Sequence, residues 1–124
     1  QSGPFSIDTE QVLQWDPHVI FLDWNGMGLV QENYAVNPGF YNSLSAVEAG
    51  RLYAQISFRS SATNAELALA DAYYAGTVLY PEQFAGIDPA EKFNEIFRVM
   101  LGVEDAYSQY AAQGYTFTTL KLGE

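Results

Sequence analysis

The sequence contains no cysteine, which excludes disulfide bonds and metal sites built from thiolates. Its one histidine, His18, directly precedes an apolar run, whereas a Ser–His–Asp arrangement needs a histidine beside a nucleophile. We therefore interpret His18 as a residue of the core or its boundary. No D-x-D-x-D-G loop and no H-E-x-x-H motif is present. We predict no catalytic residue, no metal ligand and no cofactor.

Positive charge is also scarce. Five basic residues face fifteen acidic ones, so the formal net charge at pH 7 is −10. The five cations form no cluster, which makes nucleic acid a poor partner, and an acidic membrane surface would repel the chain for the same reason. No apolar run approaches the ~20 residues of a membrane-spanning helix, and no signal peptide is visible. The chain begins at Gln1 without a methionine, so we expect a processed or truncated start.

The 124 residues favour a single domain, residues 1–124, with a modest hydrophobic core. Hydrophobic residues make up 48% of the chain and aromatic residues 15%, with nine tyrosines. Tyrosine is frequent in clefts that bind amphipathic ligands, but large α/β cores use it as well.

The first third of the chain predicts a helix, a strand and a loop. Asp8 is a good N-cap, and the helix should end near Trp15 because Pro17 disfavours a helical residue before it. Residues 18–23 form an apolar run that is typical of a parallel strand buried on both faces. Residues 24–28 are expected to form a loop, and no helix start clearly follows their glycines.

The remaining elements follow from turn and capping signals. We predict a turn at 37–39, a short helix to Leu44 and a second strand at 51–56. A T-x-x-E box at 63–66 should begin a helix that ends near residue 80. A further helix should begin at Asp88 and Pro89, and a short last helix should run from 103 to 112. The helix after Thr63 has two apolar stripes, which predicts that it is covered on two sides.

This order of elements predicts an α/β fold with a small parallel sheet flanked by helices. Two strands are too few for a stable independent sheet, so we expect that upstream elements of the same domain are absent from this chain. An unpaired strand edge and uncovered apolar helix faces would then lead to self-association.

Two loops leave the carboxyl ends of the predicted strands, where ligands gather in open α/β sheets. They are residues 24–28 and 57–62. The second loop contains Phe58 and Arg59 just ahead of a helix, and the guanidinium could meet an anionic ligand there. Taken alone, the residues favour the alternative, in which Arg59 pairs with a nearby acid on an acidic surface.

Three segments, in order, resemble one family. Residues 7–13 and 15–21 resemble the S-x-E-x-L-L-x-x-x-P-D-V-I segment of cluster III solute-binding proteins. Residues 41–53 resemble the W-x-x-L-x-A-V-K-x-G-R-V-Y segment of the same family. Residues 63–84 are similar to the closing helix of the family, which ends in L-Y-P-E-x-F. These proteins serve ABC importers for ferric siderophores, haem, cobalamin and related metal complexes. His18 and Glu48 depart from the family pattern, which has Asp and Lys there.

The resemblance implies a Rossmann-like C-terminal lobe of an extracytoplasmic two-lobed binding protein, without the N-terminal lobe and linking helix. Its partners would be a chelated metal, with an iron complex preferred, and an ABC permease. It carries over the following residues: Phe58, Arg59 and Ser60 in one ligand loop, Trp24 and Asn25 in the other, and Glu10 as the carboxylate that docks to the permease.

Two other classes of function stay open. Enzyme components of the nitrogenase or chelatase type share a two-lobed α/β architecture, although they would be expected to contain cysteine or several histidines. A stand-alone sensory or interaction domain is the third possibility. The sequence does not name the ligand, since selectivity in this family varies with few loop residues.

Overall fold

The computed structural model describes residues 6–59 and 62–124. The helices of this part of the chain are α1 Thr9–Trp15, α2 Met27–Val36, α3 Pro38–Asn42, α4 Ser45–Glu48, α5 Ala65–Leu79, α6 Pro89–Leu101 and α7 Ala106–Ala112; the strands are β1 Ile20–Asp23 and β2 Leu52–Gln55. A single turn of 3-10 helix, Trp24–Gly26, follows β1 directly. The two strands form a small parallel sheet, so the predicted mixed α/β class is confirmed.

The capping signals of two helices are confirmed. Asp8 accepts a hydrogen bond of 2.9 Å from the backbone N–H of Glu10, and α1 ends at Trp15, two residues before Pro17. Asp88 accepts hydrogen bonds from the first-turn amides of α6, which begins at Pro89 as expected. Both signals are local, so they need no distant partner to act.

Two helix starts differ from the prediction. The expected loop at 24–28 is wrong, because Gly26 adopts helical dihedral angles and α2 begins at Met27. Helix α5 begins at Ala65 after Asn64, not at Thr63. Both the backbone N–H and the side-chain amide of Asn64 donate to the carbonyl of Phe58, at 2.9 and 3.3 Å, which holds Asn64 in an extended conformation ahead of the helix.

Strand β2 is covered on one face. Leu52 and Ala54 are buried, while Tyr53 and Gln55 between them are partly exposed. The prediction that β1 is buried on both faces is wrong, since all four of its residues are partly exposed. In the two-stranded sheet β1 is an edge strand, and neither of its faces is fully covered.

The segment after residue 117 pairs with β2. Ala54 donates to the carbonyl of Thr118 and Leu120 donates to that of Leu52, both at 2.8 Å, around an antiparallel bridge between Tyr53 and Thr119. The sequence left this segment without an assigned structure. Its pairing covers one strand edge that we expected to be open.

The residue contacts divide the described chain into two compact units. Unit 1 comprises residues 6–22, 26–53 and 119–124, and unit 2 comprises residues 23–25 and 54–118. The buried residues of unit 1 include Leu44, Ala46 and Leu52. The core of unit 2 is a cluster of seven buried residues: Ile56, Leu67, Ala70, Phe93, Ile96, Phe97 and Ala106.

Helix α5 is covered on one of its two apolar stripes. Leu67, Ala70 and Tyr74 are buried in unit 2 as expected, but Leu69 is 43% exposed and Ala72 is exposed as well. The second stripe is therefore covered only in part, since Tyr73 packs against the core and Gly76 is buried. The reason is that α6 packs against a single side of α5, and its own last turn leaves Met100 and Leu101 exposed. Self-association through such surfaces stays a prediction.

Gly76 allows a close contact between α5 and the segment that follows it. A Cβ atom added at Gly76 would overlap the ring of Phe84, a contact that real side chains do not tolerate. We expect Gly76→Ala to lower the free energy of unfolding by about 1–3 kcal/mol, because the ring must shift out of its packed position. Chemical denaturation followed by circular dichroism measures the change.

The matched control is Gly28→Ala in α2, where an added Cβ meets no described atom within 4 Å. Alanine is the better helix former, so this variant should be neutral or stabilised by up to about 1 kcal/mol. A Gly76→Ala variant as stable as Gly28→Ala would show that Phe84 does not pack against the helix.

Candidate functional site

Unit 2 contains a cleft of about 460 Å³ at the carboxyl ends of both strands. Asn25 follows β1 closely, and Ile56 and Ser57 come directly after β2. The residues that line the cleft are Asn25, Ile56, Ser57, Asn64, Leu67, Tyr110 and Tyr115. This is the edge of the sheet at which ligands collect in open α/β folds.

Hydrogen bonds join the residues that follow the two strands. The hydroxyl of Ser57 and the backbone N–H of Asn25 both donate to Oδ1 of Asp23, the latter at 2.9 Å. The same N–H of Asn25 lies 3.2 Å from Oγ of Ser57. One carboxylate therefore fixes both loops, and the side-chain amide of Asn25 makes no hydrogen bond to any described residue.

The opposite wall of the cleft is aromatic. The rings of Tyr110 and Tyr115 lie 6.4 Å apart, and Tyr110 also packs edge-on against Phe93 and Phe97 of the core, at 5.2 and 5.6 Å. Neither tyrosine hydroxyl makes a hydrogen bond within the described residues. Burial, and then the negative charge of Glu66, raise the pKa of Tyr110 above its usual value, so its hydroxyl stays a donor at neutral pH.

Asn25 is the predicted ligand residue that lines the cleft. Trp24 packs against the core of unit 2, and its indole N–H donates to the carbonyl of Thr116 at 2.9 Å. Phe58 also packs against that core, so both aromatic side chains have a structural role. Sequence position at the end of a strand could not show which way these rings point.

Arg59 is exposed, and its Cζ atom lies 5.8 Å from the centre of the Phe58 ring. The described residues provide no ion pair for it, so the carboxylate partner that the residues alone favoured is not found there. Ser60 lies outside the described residues. Glu10 is exposed in the first turn of α1, in unit 1, where the dipole of the helix favours a negative charge.

Six of the seven cleft residues were not among the predicted site residues, and four of the six are polar or aromatic: Ser57, Asn64, Tyr110 and Tyr115. Ser57 and Asn64 lie in or next to a loop that we had singled out, so closer attention to its polar side chains could have found them. Tyr110 and Tyr115 are more than forty residues away along the chain. No local pattern marks them.

Asp71 is a buried carboxyl group in α5, 8% exposed, beneath the end of β2. One oxygen accepts the backbone N–H of Ile56 at 3.0 Å, and the other has no hydrogen-bond partner among the described residues. Burial raises the pKa of Asp71 to about 7; the bond from Ile56 opposes this shift, and the charge of Asp23 adds to it.

In the described ranges, no group of three or more histidine or acidic side chains is close enough together to hold a metal ion. None of the helices described combines the length and hydrophobicity needed to cross a bilayer.

No protein-family model matches the sequence, and no curated protein matches it either. The function is therefore inferred from the cleft and its surroundings.

The raised pKa of Asp71 predicts a specific pH dependence of stability. The folded chain holds the proton of Asp71 more tightly than the unfolded chain. Ionisation of Asp71 therefore lowers the free energy of unfolding. This loss is absent below about pH 4, grows between about pH 4 and 7, and is complete above pH 7. Asp71→Asn removes the titration and keeps the acceptor for Ile56. We expect it to raise the free energy of unfolding by on the order of 1–4 kcal/mol at pH 8, and by much less at pH 4.5.

Urea denaturation of both proteins across this pH range measures the effect. The control is Glu104→Gln, which neutralises an exposed carboxylate of the same unit and should leave the pH profile unchanged. If the free energies of unfolding of Asp71→Asn and the parent differed by the same amount at pH 4.5 and pH 8, the carboxyl group of Asp71 would not titrate near neutrality.

Proposed function

We propose that this chain binds a solute for an ABC importer, as part of a two-lobed extracytoplasmic binding protein, and that the solute is a chelated metal, with an iron complex preferred. The observation that supports binding is the cleft in unit 2, with its convergent uncharged polar groups and tyrosine wall. The likeness of residues 7–21, 41–53 and 63–84 to solute-binding proteins supports the importer.

The size and lining of the cleft suit a small ligand. Ligand pockets measure about 300–1,000 Å³ and combine apolar walls with a few polar groups that fix orientation. Here Ile56 and Leu67 supply apolar surface, and the side chains of Asn25, Tyr110 and Tyr115 offer polar groups without a hydrogen bond to a described residue. A ligand that has both ring surface and oxygen atoms, as metal chelates do, would match this combination.

An enzyme is the alternative function, and the structure offers one residue to weigh. A carboxyl group with a pKa near 7 is a common sign of acid–base catalysis, and Asp71 has such a pKa. Asp71 does not line the cleft, however, and its bonded oxygen is occupied by the backbone of Ile56. We therefore assign Asp71 to the support of the strand end and keep binding as the proposal.

Trp24 makes the binding proposal testable with this chain. It precedes the cleft residue Asn25, whereas the other tryptophan, Trp15, lies in α1 and is 60% exposed. A Trp15→Phe variant would report on Trp24 alone. We expect a ferric siderophore, haem or cobalamin to quench its fluorescence with a dissociation constant weaker than micromolar, because two lobes share the buried ligand surface in this family.

Free N-acetyltryptophanamide, titrated in parallel, corrects for light absorbed by the coloured ligands. Absence of specific quenching by all three ligand classes at millimolar concentration would overturn the proposed function. Sub-micromolar binding would support a binding function but contradict the proposal that a second lobe completes the site.

We expect different residues to serve ligand binding and docking to the permease. Arg59→Ala and Phe58→Ala remove side chains of one proposed ligand loop and should weaken ligand binding. Glu10→Ala removes an exposed carboxylate in unit 1 and should leave ligand affinity unchanged while slowing delivery, since exposed charges act on the association of proteins. Ligand titration and uptake into proteoliposomes containing the permease measure the two effects.

Glu32→Ala is the matched control, because Glu32 is another exposed glutamate of unit 1, on α2. Glu32→Ala should change neither the ligand affinity nor the rate of uptake. Arg59→Ala is the cleaner of the two ligand-loop variants, since Phe58 also packs against the core and its loss would lower stability. Loss of ligand affinity in Glu10→Ala would contradict the docking role.

A further inference from the structure

Ser57 takes part in the hydrogen bonds that join the ends of the two strands, and it lines the cleft. Its hydroxyl donates to Oδ1 of Asp23, which also accepts the backbone N–H of Asn25 at 2.9 Å. Because an ionised carboxylate can only accept, the direction of the bond between Ser57 and Asp23 is fixed. Ser57 therefore has no proton left to donate to a ligand.

The oxygen atom of Ser57 can still accept a hydrogen bond. A hydroxyl oxygen has two lone pairs. One of them accepts the backbone N–H of Asn25 at 3.2 Å, and no described residue donates to the other. Ser57 therefore presents an acceptor to a ligand in the cleft, and no donor.

The other polar side chains of the lining can bond in either direction. Three of them can both donate and accept, and they make no side-chain hydrogen bond to a described residue: Asn25, Tyr110 and Tyr115. Asn64 uses one of its two amide protons for the carbonyl of Phe58, at 3.3 Å, and keeps the other proton and its oxygen. Within the described part of the lining, Ser57 is thus the polar group whose bonding to a ligand has a single direction.

The ligand role proposed for Arg59 has the opposite direction. A guanidinium group can only donate, so Arg59 would meet oxygen atoms or negative charge on the ligand. The oxygen atoms that hold the metal in a chelate are suitable acceptors for it. An N–H or O–H group of the same chelate would instead suit Ser57, so the two residues require complementary groups of one ligand.

We infer that Ser57 determines specificity by accepting a hydrogen bond from the ligand, and, resting on the proposed function, that this ligand is a metal chelate with an N–H or O–H donor near its metal-binding oxygen atoms. Ser57 is half-buried in the free chain, and a bound ligand would remove its free lone pair from water. A ligand without a donor would leave that acceptor buried and unpaired, which lowers affinity.

The test compares ferric tris(acetohydroxamate) with ferric tris(N-methylacetohydroxamate), by quenching of Trp24 in the Trp15→Phe background. Both complexes are uncharged, and each N–H group of the first is an N–CH3 group in the second. The N–H complex should bind about three- to tenfold more tightly, which is the usual effect of one hydrogen bond between uncharged groups. Excess free hydroxamate keeps each complex intact, and titration with the metal-free hydroxamate gives the background to subtract.

Ser57→Ala separates the hydrogen bond from the bulk of the added methyl groups. A loss of affinity shared by both complexes would report the lost bond to Asp23, so the ratio of the two affinities is the quantity compared. The ratio should fall to about one because the N–H complex binds about three- to tenfold more weakly. Relief of a steric clash would instead lower the ratio by strengthening the binding of the N-methyl complex.

Ser43→Ala is the matched control. Ser43 is an exposed serine of unit 1 whose hydroxyl donates to the carbonyl of Gly39 at 2.7 Å, and it does not line the cleft. This variant should keep the parent's affinity for both complexes.

Equal binding of the two complexes by the parent would overturn the inference and leave the proposed function intact. A preference that persists in Ser57→Ala, or that disappears because the N-methyl complex binds better, would overturn it as well. Failure of both complexes to bind would also overturn it. The proposed function is then decided separately, by the titrations with a ferric siderophore, haem and cobalamin.

Discussion

The stacking of rings around Phe93 is the interaction on which unit 2 depends. Phe93 is fully buried, stacks on Phe97 at 4.5 Å, and meets Tyr107, Tyr110 and Phe117 edge-on. These rings come from α6, α7 and the segment after α7, so a single buried side chain joins three parts of the chain. Because Tyr110 is also a wall of the cleft, the packing that stabilises the core sets the position of the ligand surface.

Polar groups are organised differently, around the ends of the strands. Asp23 binds Ser57 and Asn25, while Asp71 holds the amide of Ile56, the residue before Ser57. Two carboxyl groups thus fix the backbone after each strand, and the charge of Asp23 adds to the raised pKa of Asp71. Burying Asp71 costs stability at neutral pH, but a buried amide left without an acceptor would cost stability as well.

The proposed function depends on both the ring cluster around Phe93 and the hydrogen-bonded groups at the strand ends, because they form two sides of the cleft. The aromatic cluster supplies a firm wall, and the strand ends supply amide and hydroxyl groups on the other side. Asp23 lies next to the lining and accepts the hydroxyl of Ser57, which leaves the side-chain amide of Asn25 without a described partner. A cleft of this kind would distinguish ligands by their hydrogen-bonding groups and by their ring surface.

The sequence by itself determined the elements whose signals are local. The caps at Asp8 and Asp88 and the helix stop before Pro17 depend on neighbouring residues, and all were predicted. The end-of-strand rule also located Asn25 at the cleft. The direction of the Trp24 and Phe58 rings, by contrast, depends on the core they pack against, and no local pattern contains that information.

Only the tertiary structure decided which distant residues meet. Tyr110 and Tyr115 reach the cleft because the Phe93 cluster holds α7 and the residues after it in place, and residues 118–120 pair with β2 across more than sixty positions of sequence. The hydrogen bond from Ser57 to Asp23 arises in the same way. Packing and hydrogen bonding between remote segments set these contacts, and a sequence read by its local periods and caps does not record them.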